Sequence, residues 1–154
     1  TLSKQCALLQ HKGQYRKNNK TPYWHHLRDV VNNLEMMGIK DESILCAGWL
    51  HDSIEDTSFD YDDVSKIFGK KIAQIVSDLT KETRLPKNQQ EQNYLKQLSK
   101  SSWQSKVVKF ADILANVSDL KNSELNQKQK NLKRGIASLC IGGGEATAIA
   151  VEMI

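Results

Sequence analysis

The sequence contains little proline and little cysteine. Its only prolines are Pro22 and Pro86, and its three cysteines, Cys6, Cys46 and Cys140, show no CxxC spacing. Such a pattern excludes a disulfide framework and argues against a structural zinc site built from thiolates. Cys6 and Cys46 lie among apolar residues, so we expect both to be small core residues. A reducing compartment follows, and we expect the protein in the cytoplasm.

Long apolar runs and an excess of one charge are also missing. No run reaches the ~18 residues that a membrane span needs. The first residues, TLSKQCALLQHKGQYRK, are too polar and basic for a signal peptide. A net charge of +4 with 6% aromatic residues argues against a nucleic-acid binder. We expect one domain over residues 1–154, and the sequence carries no signal for an oligomeric state.

The charges that are present lie in two blocks of opposite sign. Residues 11–20, HKGQYRKNNK, carry four lysine or arginine residues and no acid. Residues 52–63, DSIEDTSFDYDD, carry six acids and no base. Two solvated surfaces would explain this pattern, and so would a site for an anionic ligand beside a cation.

Helical periodicity dominates the chain, and the alternation typical of strands is absent. The pattern predicts helices over residues 3–13, 24–37, 42–52, 61–69, 70–83, from 87 onward and 102–120. Gly38 and Gly69 are stop signals, and Asp41 is a candidate helix cap. The tail from residue 135 predicts small-residue helices with a break at the GGG of 142–144. The expected fold class is all-α, an irregular helical bundle.

The stretch HDSIEDT, residues 51–57, carries the strongest chemical signal. On one continuous helix, His51 and Glu55 would share a face, with Asp52 and Asp56 on the adjacent face. His51 and Asp52 could then both reach one ion beside the helix end. Two ligands do not complete a metal site, so other helices must contribute.

Further ligand candidates lie in TPYWHHL and KFADILAN. His25 and His26 begin the second helix, where a histidine is more often a surface or capping residue. Asp112 interrupts an apolar stripe, and burying its charge is costly unless it is paired or binds a metal. If these helices converge, two imidazoles and two carboxylates form a site suited to Mn²⁺, Fe²⁺ or Zn²⁺.

Taken together, these motifs resemble a known family. The segments HKGQYRKNNKTPYWHHL, WLHDSIEDT, IFGKKIAQIVSDLTKET, LPK and VVKFADILAN occur in that order over roughly residues 4–120. They resemble the HD-domain metal-dependent phosphohydrolases, and more narrowly the (p)ppGpp hydrolase domain of RelA/SpoT homologues and the small stand-alone hydrolases. The resemblance implies an HD-type helical bundle that removes the 3′-diphosphate of (p)ppGpp, leaving GDP or GTP and pyrophosphate.

The resemblance also implies a role for individual residues. The family's metal ligands fall on His26, His51, Asp52 and Asp112, with His26 preferred because the family ligand lies four residues after the proline of the TPY motif. Its catalytic acid pair falls on Glu55 and Asp56. Its contacts to a small-molecule nucleotide fall on Arg16, Lys17, Lys87 and Asn116. The implied cofactor is Mn²⁺, or another divalent ion.

Three positions depart from the family pattern. Leu27 stands where the family usually has proline, Ile113 where it has a basic residue, and Ala115 where it has His or Tyr. These departures leave the substrate open. Another HD phosphohydrolase, acting on the 2′-phosphate of NADPH or on a 5′-nucleotide, is an alternative. A nucleotide-binding regulator without turnover is a third interpretation.

Overall fold

Residues 1–121 fold into helices joined by turns and loops. The computed structural model describes residues 1–121, with side chains through residue 119. The helices are α1 (Leu2–Gln10), α2 (Trp24–Met36), α3 (Glu42–Leu50), α4 (Ser53–Asp56), α5 (Tyr61–Phe68), α6 (Lys70–Asp78), α7 (Lys87–Lys100) and α8 (Trp103–Lys121). Residues 1–121 contain no strand, only an isolated bridge between Tyr15 and Pro22. The predicted all-α class is confirmed, whereas the predicted tail helices and the GGG break lie outside the described residues.

Most helix ends follow the signals in the sequence. Asp41 caps α3 by accepting a backbone N–H, and Asp60 and Asp63 form a reciprocal capping box at α5. Two helices, however, are shorter than predicted: α6 ends at Asp78 and not at residue 83, and α1 ends at Gln10 and not at residue 13. Gly13 has φ +82, a left-handed conformation that an α-helix cannot contain, so the chain turns there toward α2.

The predicted helix over HDSIEDT is broken. α3 ends one residue before His51, and α4 begins one residue after Asp52. Asp52 has φ −98 and ψ 0, so the placement of His51, Glu55, Asp52 and Asp56 on two faces of one continuous helix is wrong. The Asp56 N–H still donates to the Asp52 carbonyl at 2.9 Å. The turn brings the His51 and Asp52 side chains together, with Nε2 and Oδ2 2.9 Å apart.

The packing of α2 against α3 depends on a glycine. A Cβ atom added at Gly48 would lie 2.8 Å from Cδ1 of Leu34 and 3.1 Å from Cγ2 of Val31. The two helices therefore approach closely only because position 48 has no side chain. His51 follows Gly48 by three residues, so this contact also fixes how far the histidine stands from α2.

α8 packs along α2 and completes the core. Its buried residues Val108, Ala111 and Ala115 join the main apolar cluster. The Asn33 side chain donates to the Ala111 carbonyl at 3.1 Å, which fixes α2 and α8 in register next to Asp112. Cys6 and Cys46 are partly buried against the same core, as predicted, and Cys140 lies outside the described residues. None of the described helices is both long and apolar enough to cross a membrane.

Candidate metal centre and active site

Two histidines and two aspartates from separate parts of the fold meet in the interior. His26 lies in the first turn of α2, His51 and Asp52 lie between α3 and α4, and Asp112 lies in α8. Nε2 of His26 is 3.1 Å from Oδ1 of Asp112 and 3.8 Å from Oδ2 of Asp52. Nε2 of His51 is 2.9 Å from Oδ2 of Asp52 and 3.7 Å from Oδ1 of Asp112. We call these four residues the His-Asp cluster.

The tautomer of His51 is set by the backbone. Its Nδ1 lies 2.9 Å from the Gly48 carbonyl, which can only accept, so Nδ1 carries a proton. A neutral imidazole then has its lone pair on Nε2. That atom is buried and has no hydrogen-bond partner of acceptable geometry among the described residues, although Oδ2 of Asp52 lies beside it. Ligand atoms that lie close together without a hydrogen bond between them are typical of a site in which they face a common metal ion.

The donor set fits a divalent metal ion. One ligand atom each from His26, His51 and Asp112 lies within 4.8 Å of the others, and all three residues are buried. Asp52 adds a second carboxylate whose side chain is 19% exposed, so one side of the cluster is open. Mixed imidazole and carboxylate ligation is typical of Mn²⁺, Fe²⁺ and Zn²⁺ sites that keep a position for water or substrate.

The charges in the cluster act on one another strongly. Burial lowers the pKa of His51, but the carboxylates of Asp52 and Asp112 outweigh burial and raise that pKa well above its ordinary value. Burial raises the pKa of Asp112, but the Lys109 ammonium and the imidazoles hold it well below its ordinary value. The buried carboxylates thus need a positive charge beside them, which a proton or a metal ion can supply.

Glu55 and Asp56 flank the cluster on the side of α4. Oε2 of Glu55 accepts the backbone N–H of Lys81 at 2.9 Å, and Glu55 lines a cavity of about 110 Å³ next to the cluster. Burial is the main cause that raises the pKa of Glu55, and the charges of Asp52 and Asp56 add to it. Burial also raises the pKa of Asp56. A raised pKa makes a carboxylate a better proton acceptor near neutral pH.

Tyr23 is a site residue that the sequence analysis missed. Its hydroxyl donates to Oδ2 of Asp52 at 2.6 Å and lies 3.5 Å from Oδ2 of Asp56. Its ring stacks on His11, with centroids 5.0 Å apart, and the Arg16 guanidinium lies 5.7 Å from the ring centre. Burial and the Asp52 carboxylate raise the Tyr23 pKa, so the hydroxyl remains a donor. Tyr23 stands in the TPY motif, but no spacing rule indicates which group its hydroxyl reaches.

Lys109 is a second residue without a predicted role. Its ammonium lies 2.8 Å from Oδ2 of Asp112 and 5.3 Å from the centre of the Tyr94 ring. Burial lowers the pKa of Lys109, but the Asp112 carboxylate reverses that effect and raises it above the ordinary value. The spacing of three positions between Lys109 and Asp112 on one helix was the signal that could have found this pair.

Two of the predicted substrate contacts join the site. Nδ2 of Asn116 donates to Oδ1 of Asp112 at 2.8 Å, and the Arg16 guanidinium donates to Oδ1 of Asn116 at 2.9 Å. Arg16 also pairs with Asp119. A chain of hydrogen bonds therefore connects the basic loop before α2 to the His-Asp cluster.

The other two predicted substrate contacts lie outside this network. Lys17 and Lys87 are exposed, and within residues 1–121 neither is hydrogen-bonded to the His-Asp cluster. Of the two adjacent histidines, His26 enters the cluster, whereas His25 stacks on Trp24 with ring centroids 3.8 Å apart.

The three departures from the family pattern are buried. Leu27 and Ala115 belong to the main core, and Ile113 packs against Val117. An apolar residue at these positions is compatible with burial. It adds no polar group to the site.

Comparisons with known proteins agree with this geometry. A family model described as an HD domain matches residues 4–139. Guanosine-3′,5′-bis(diphosphate) 3′-pyrophosphohydrolase MESH1 of Drosophila melanogaster is 36% identical over 118 residues, 75% of this chain and 66% of that protein. The protein of the same name from Homo sapiens is 37% identical over 116 residues, 74% of this chain and 65% of that protein. The chain thus spans just under two thirds of the length of these curated relatives.

Two solved structures share the fold. One is described as a metazoan ortholog of SpoT that hydrolyzes ppGpp and plays a role in starvation responses. It has a TM-score of 0.85 at 29% identity and covers 99% of this chain and 91% of its own. The other, lmo0812 from Listeria monocytogenes, has a TM-score of 0.68 at 20% identity over 86% of this chain and 92% of its own, and supports the fold alone. The chain belongs to the HD-domain family.

Proposed function

We propose that this protein is a metal-dependent phosphohydrolase that removes the 3′-diphosphate of (p)ppGpp, leaving GDP or GTP and pyrophosphate. The observation that carries the proposal is the meeting of His26, His51, Asp52 and Asp112 beside an acid pair. The names of the MESH1 relatives, which are 3′-pyrophosphohydrolases of guanosine-3′,5′-bis(diphosphate), support the choice of substrate. The solved structure of the metazoan ortholog of SpoT, whose description states that it hydrolyzes ppGpp, supports it further.

In this proposal the His-Asp cluster holds one divalent ion, and we propose Mn²⁺. A bound divalent ion lowers the pKa of water from ~15.7 toward ~7 and offsets the charge of a phosphate. The residues of this chain set the conditions for that chemistry. The Gly48 carbonyl keeps the His51 lone pair on Nε2, and Tyr23 and Asn116 orient the carboxylates of Asp52 and Asp112.

Glu55 and Asp56 are the proposed acid–base pair. Their carboxylates would accept the proton of the attacking water, and a pKa raised by burial suits them to that step. The water oxygen bonds to the phosphorus that carries the 3′ oxygen. The bond between that phosphorus and the 3′ oxygen breaks, the 3′ oxygen takes a proton, and pyrophosphate leaves.

Four residues are the proposed contacts to the nucleotide: Arg16, Lys17, Lys87 and Asn116. Arg16 offers a planar guanidinium, which can stack on a base. Its hydrogen bond to Asn116 places both side chains beside Asp112, on one edge of the cluster. Lys17 and Lys87 are exposed, so their ammonium groups are accessible to the phosphates of a nucleotide.

Two wider inferences accompany this function. We infer that the hydrolase domain extends over residues 1–154, which the match of the HD-domain model to residues 4–139 supports. We also infer that the protein works in the cytoplasm, a reducing compartment, because Cys6 and Cys46 form no disulfide within residues 1–121 and are partly buried.

A panel of nucleotides tests the substrate. The purified protein is incubated with Mn²⁺ and equal concentrations of ppGpp, NADPH and a 5′-nucleotide, and the products are separated by ion exchange. We expect kcat/KM to be highest for ppGpp, with GDP and pyrophosphate as products. A preference for NADPH or the 5′-nucleotide would move the assignment to that substrate. Binding of ppGpp without turnover would support the alternative that the protein is a nucleotide-binding regulator.

A further inference from the structure

The cavity beside the His-Asp cluster is lined by side chains of both charges. Asp52, Glu55 and Asp112 contribute carboxylates, and Lys81 and Lys109 contribute ammonium groups, around a volume of about 110 Å³. The carboxylates belong to the proposed metal centre and acid–base pair. The two lysines have no role in the function described so far.

One aromatic ring places both ammonium groups. The Lys81 and Lys109 ammonium nitrogens lie 5.2 Å and 5.3 Å from the centre of the Tyr94 ring, within the range of a cation–π contact. The ring itself is buried and cannot turn freely, because the Tyr94 hydroxyl donates to the Leu79 carbonyl at 2.9 Å. Both positive charges therefore lie close to one fixed ring that lines the cavity.

The lysines are not fully neutralised by the partners they have. The Lys81 ammonium lies 3.1 Å from an oxygen of Glu91, a half-exposed partner in an ion pair that solvent screens. Lys109 pairs with Asp112, and the same carboxylate also lies 3.1 Å from Nε2 of His26. Both side chains therefore keep the capacity to donate to an anion that enters the cavity.

The net charge of the cavity lining depends on a bound cation. Three carboxylates, two ammonium groups and the His51 imidazole line the cavity, so without a metal ion the lining carries no net positive charge that would attract an oxyanion. A divalent ion bound by the His-Asp cluster adds two positive charges and makes the net charge positive. An oxyanion in the cavity then meets both the ion and the two lysines.

We propose that Lys81 and Lys109 form an anion pocket for a diphosphate group, which accepts it only after the divalent ion is bound. This inference rests on the proposed function, in which pyrophosphate is the leaving product. The pocket would hold the group as it departs from the 3′ oxygen. Lys81 also ties the pocket to the acid pair, because its backbone N–H holds Glu55 while its side chain faces the anion.

Calorimetry with pyrophosphate tests the pocket without substrate turnover. Preformed manganese pyrophosphate is titrated into protein in an excess of Mn²⁺, so that the ion cannot be stripped from the site. Lys81→Met keeps the aliphatic stem and the backbone donor to Glu55 but removes the charge. We expect it to weaken pyrophosphate binding about tenfold, as loss of one charge-assisted hydrogen bond does.

Lys71→Met is the matched control. Lys71 also pairs with a surface carboxylate, 3.3 Å from Asp41, but lies outside the cavity. It should bind pyrophosphate like the wild type, and Lys81→Arg should bind within about threefold of it. Thermal unfolding of each variant checks that it is folded. Binding by Lys81→Met within about twofold of the wild type would overturn the pocket.

The dependence of pyrophosphate binding on the divalent ion is tested separately. In a chelator, with sodium pyrophosphate as the probe, the wild type should bind at least tenfold more weakly than in excess Mn²⁺. Equal affinity would contradict the proposal that the pocket accepts the anion only after the ion is bound. Turnover of ppGpp, measured on the same samples, separates the hypothesis of the anion pocket from the hypothesis that ppGpp is the substrate. Lys81-dependent pyrophosphate binding without ppGpp hydrolysis would support the pocket and contradict the substrate. Hydrolysis that proceeds with Lys81-independent pyrophosphate binding would contradict the pocket alone.

Discussion

Nε2 of His26, in the first turn of α2, lies 3.1 Å from Oδ1 of Asp112, in the middle of α8. The two residues are far apart in sequence, and both are nearly fully buried. A buried carboxylate beside a buried imidazole is costly to the fold unless a charge is shared between them. The packing of α2 on α8 therefore holds an imidazole and a carboxylate together where a positive charge, from a proton, Lys109 or a metal ion, offsets the carboxylate.

The first prediction concerns the metal ligands. Asp52→Ala should abolish stoichiometric binding of Mn²⁺ and reduce hydrolysis to background, because it removes the cluster's open-side carboxylate. Metal content after desalting and calorimetry with Mn²⁺ measure the binding. Asp62→Ala, an exposed acid in the first turn of α5, is the matched control and should behave like the wild type. Full metal content in Asp52→Ala would contradict its role as a ligand.

The second prediction separates the acid pair from the metal site. Glu55→Gln should retain one metal ion and lose turnover by about 10²–10⁴-fold, the range for removal of a general base. The amide can still accept the Lys81 N–H, so the cavity should keep its shape. Glu42→Gln, at an exposed position of α3, controls for the loss of one surface charge. A Glu55→Gln enzyme with nearly full kcat would remove Glu55 from water activation.

The third prediction is a pH dependence of stability in the metal-free protein. The pKa of folded Glu55 is raised above its ordinary value, chiefly by burial. Its protonated form therefore contributes stability that is complete below the unfolded pKa and is lost as pH rises through the folded pKa. Glutamine does not ionise, so Glu55→Gln should melt a few degrees above the wild type at about pH 8 and closer to it at about pH 5.

Thermal unfolding in a chelator, followed by circular dichroism across that pH range, measures the difference. Glu42→Gln should show no such growth with pH, since Glu42 is exposed. A melting difference for Glu55→Gln that is constant or shrinks as pH rises would show that ionised Glu55 does not destabilise the fold.

The fourth prediction assigns a positioning role to Tyr23. Its hydroxyl holds Asp52 and reaches toward Asp56, while its ring is fixed by His11. Tyr23→Phe keeps the ring and removes the hydroxyl, so kcat should fall about tenfold or more while KM changes less than about twofold. Tyr61→Phe, at the exposed start of α5, is the control. An unchanged kcat in Tyr23→Phe would show that the hydroxyl only stabilises the fold.

Much of the fold could be predicted because apolar periodicity and caps are local signals. Asp41 and Gly69 mark helix ends in the structure as they do in the sequence. The break at His51 could not be predicted in this way. Nothing local marks it, and it is stabilised by tertiary contacts, among them the close approach of α3 to α2 at Gly48.

The candidate site, like the fold, contains some residues that the sequence predicts and others that only tertiary contacts identify. Asp112 was identified as a candidate because a charged residue in an apolar helix needs a partner, and the resemblance selected His26 over His25. Tyr23, Lys81, Tyr94 and Lys109 act through contacts with residues on other elements or through a shared cavity, and residue spacing does not encode most of those contacts. Residue type and order therefore predict the candidate ligands, and only the three-dimensional structure places the side chains around them.

The most direct test of the central claim is metal-dependent hydrolysis of ppGpp. Purified protein is stripped with a chelator, divided in two, and incubated with ppGpp with or without added Mn²⁺, and the nucleotides are separated by ion exchange. We predict GDP and pyrophosphate in equal amounts with Mn²⁺ and intact ppGpp without it. Intact ppGpp in both samples, from protein that retains one Mn²⁺ per chain, would contradict the proposed function.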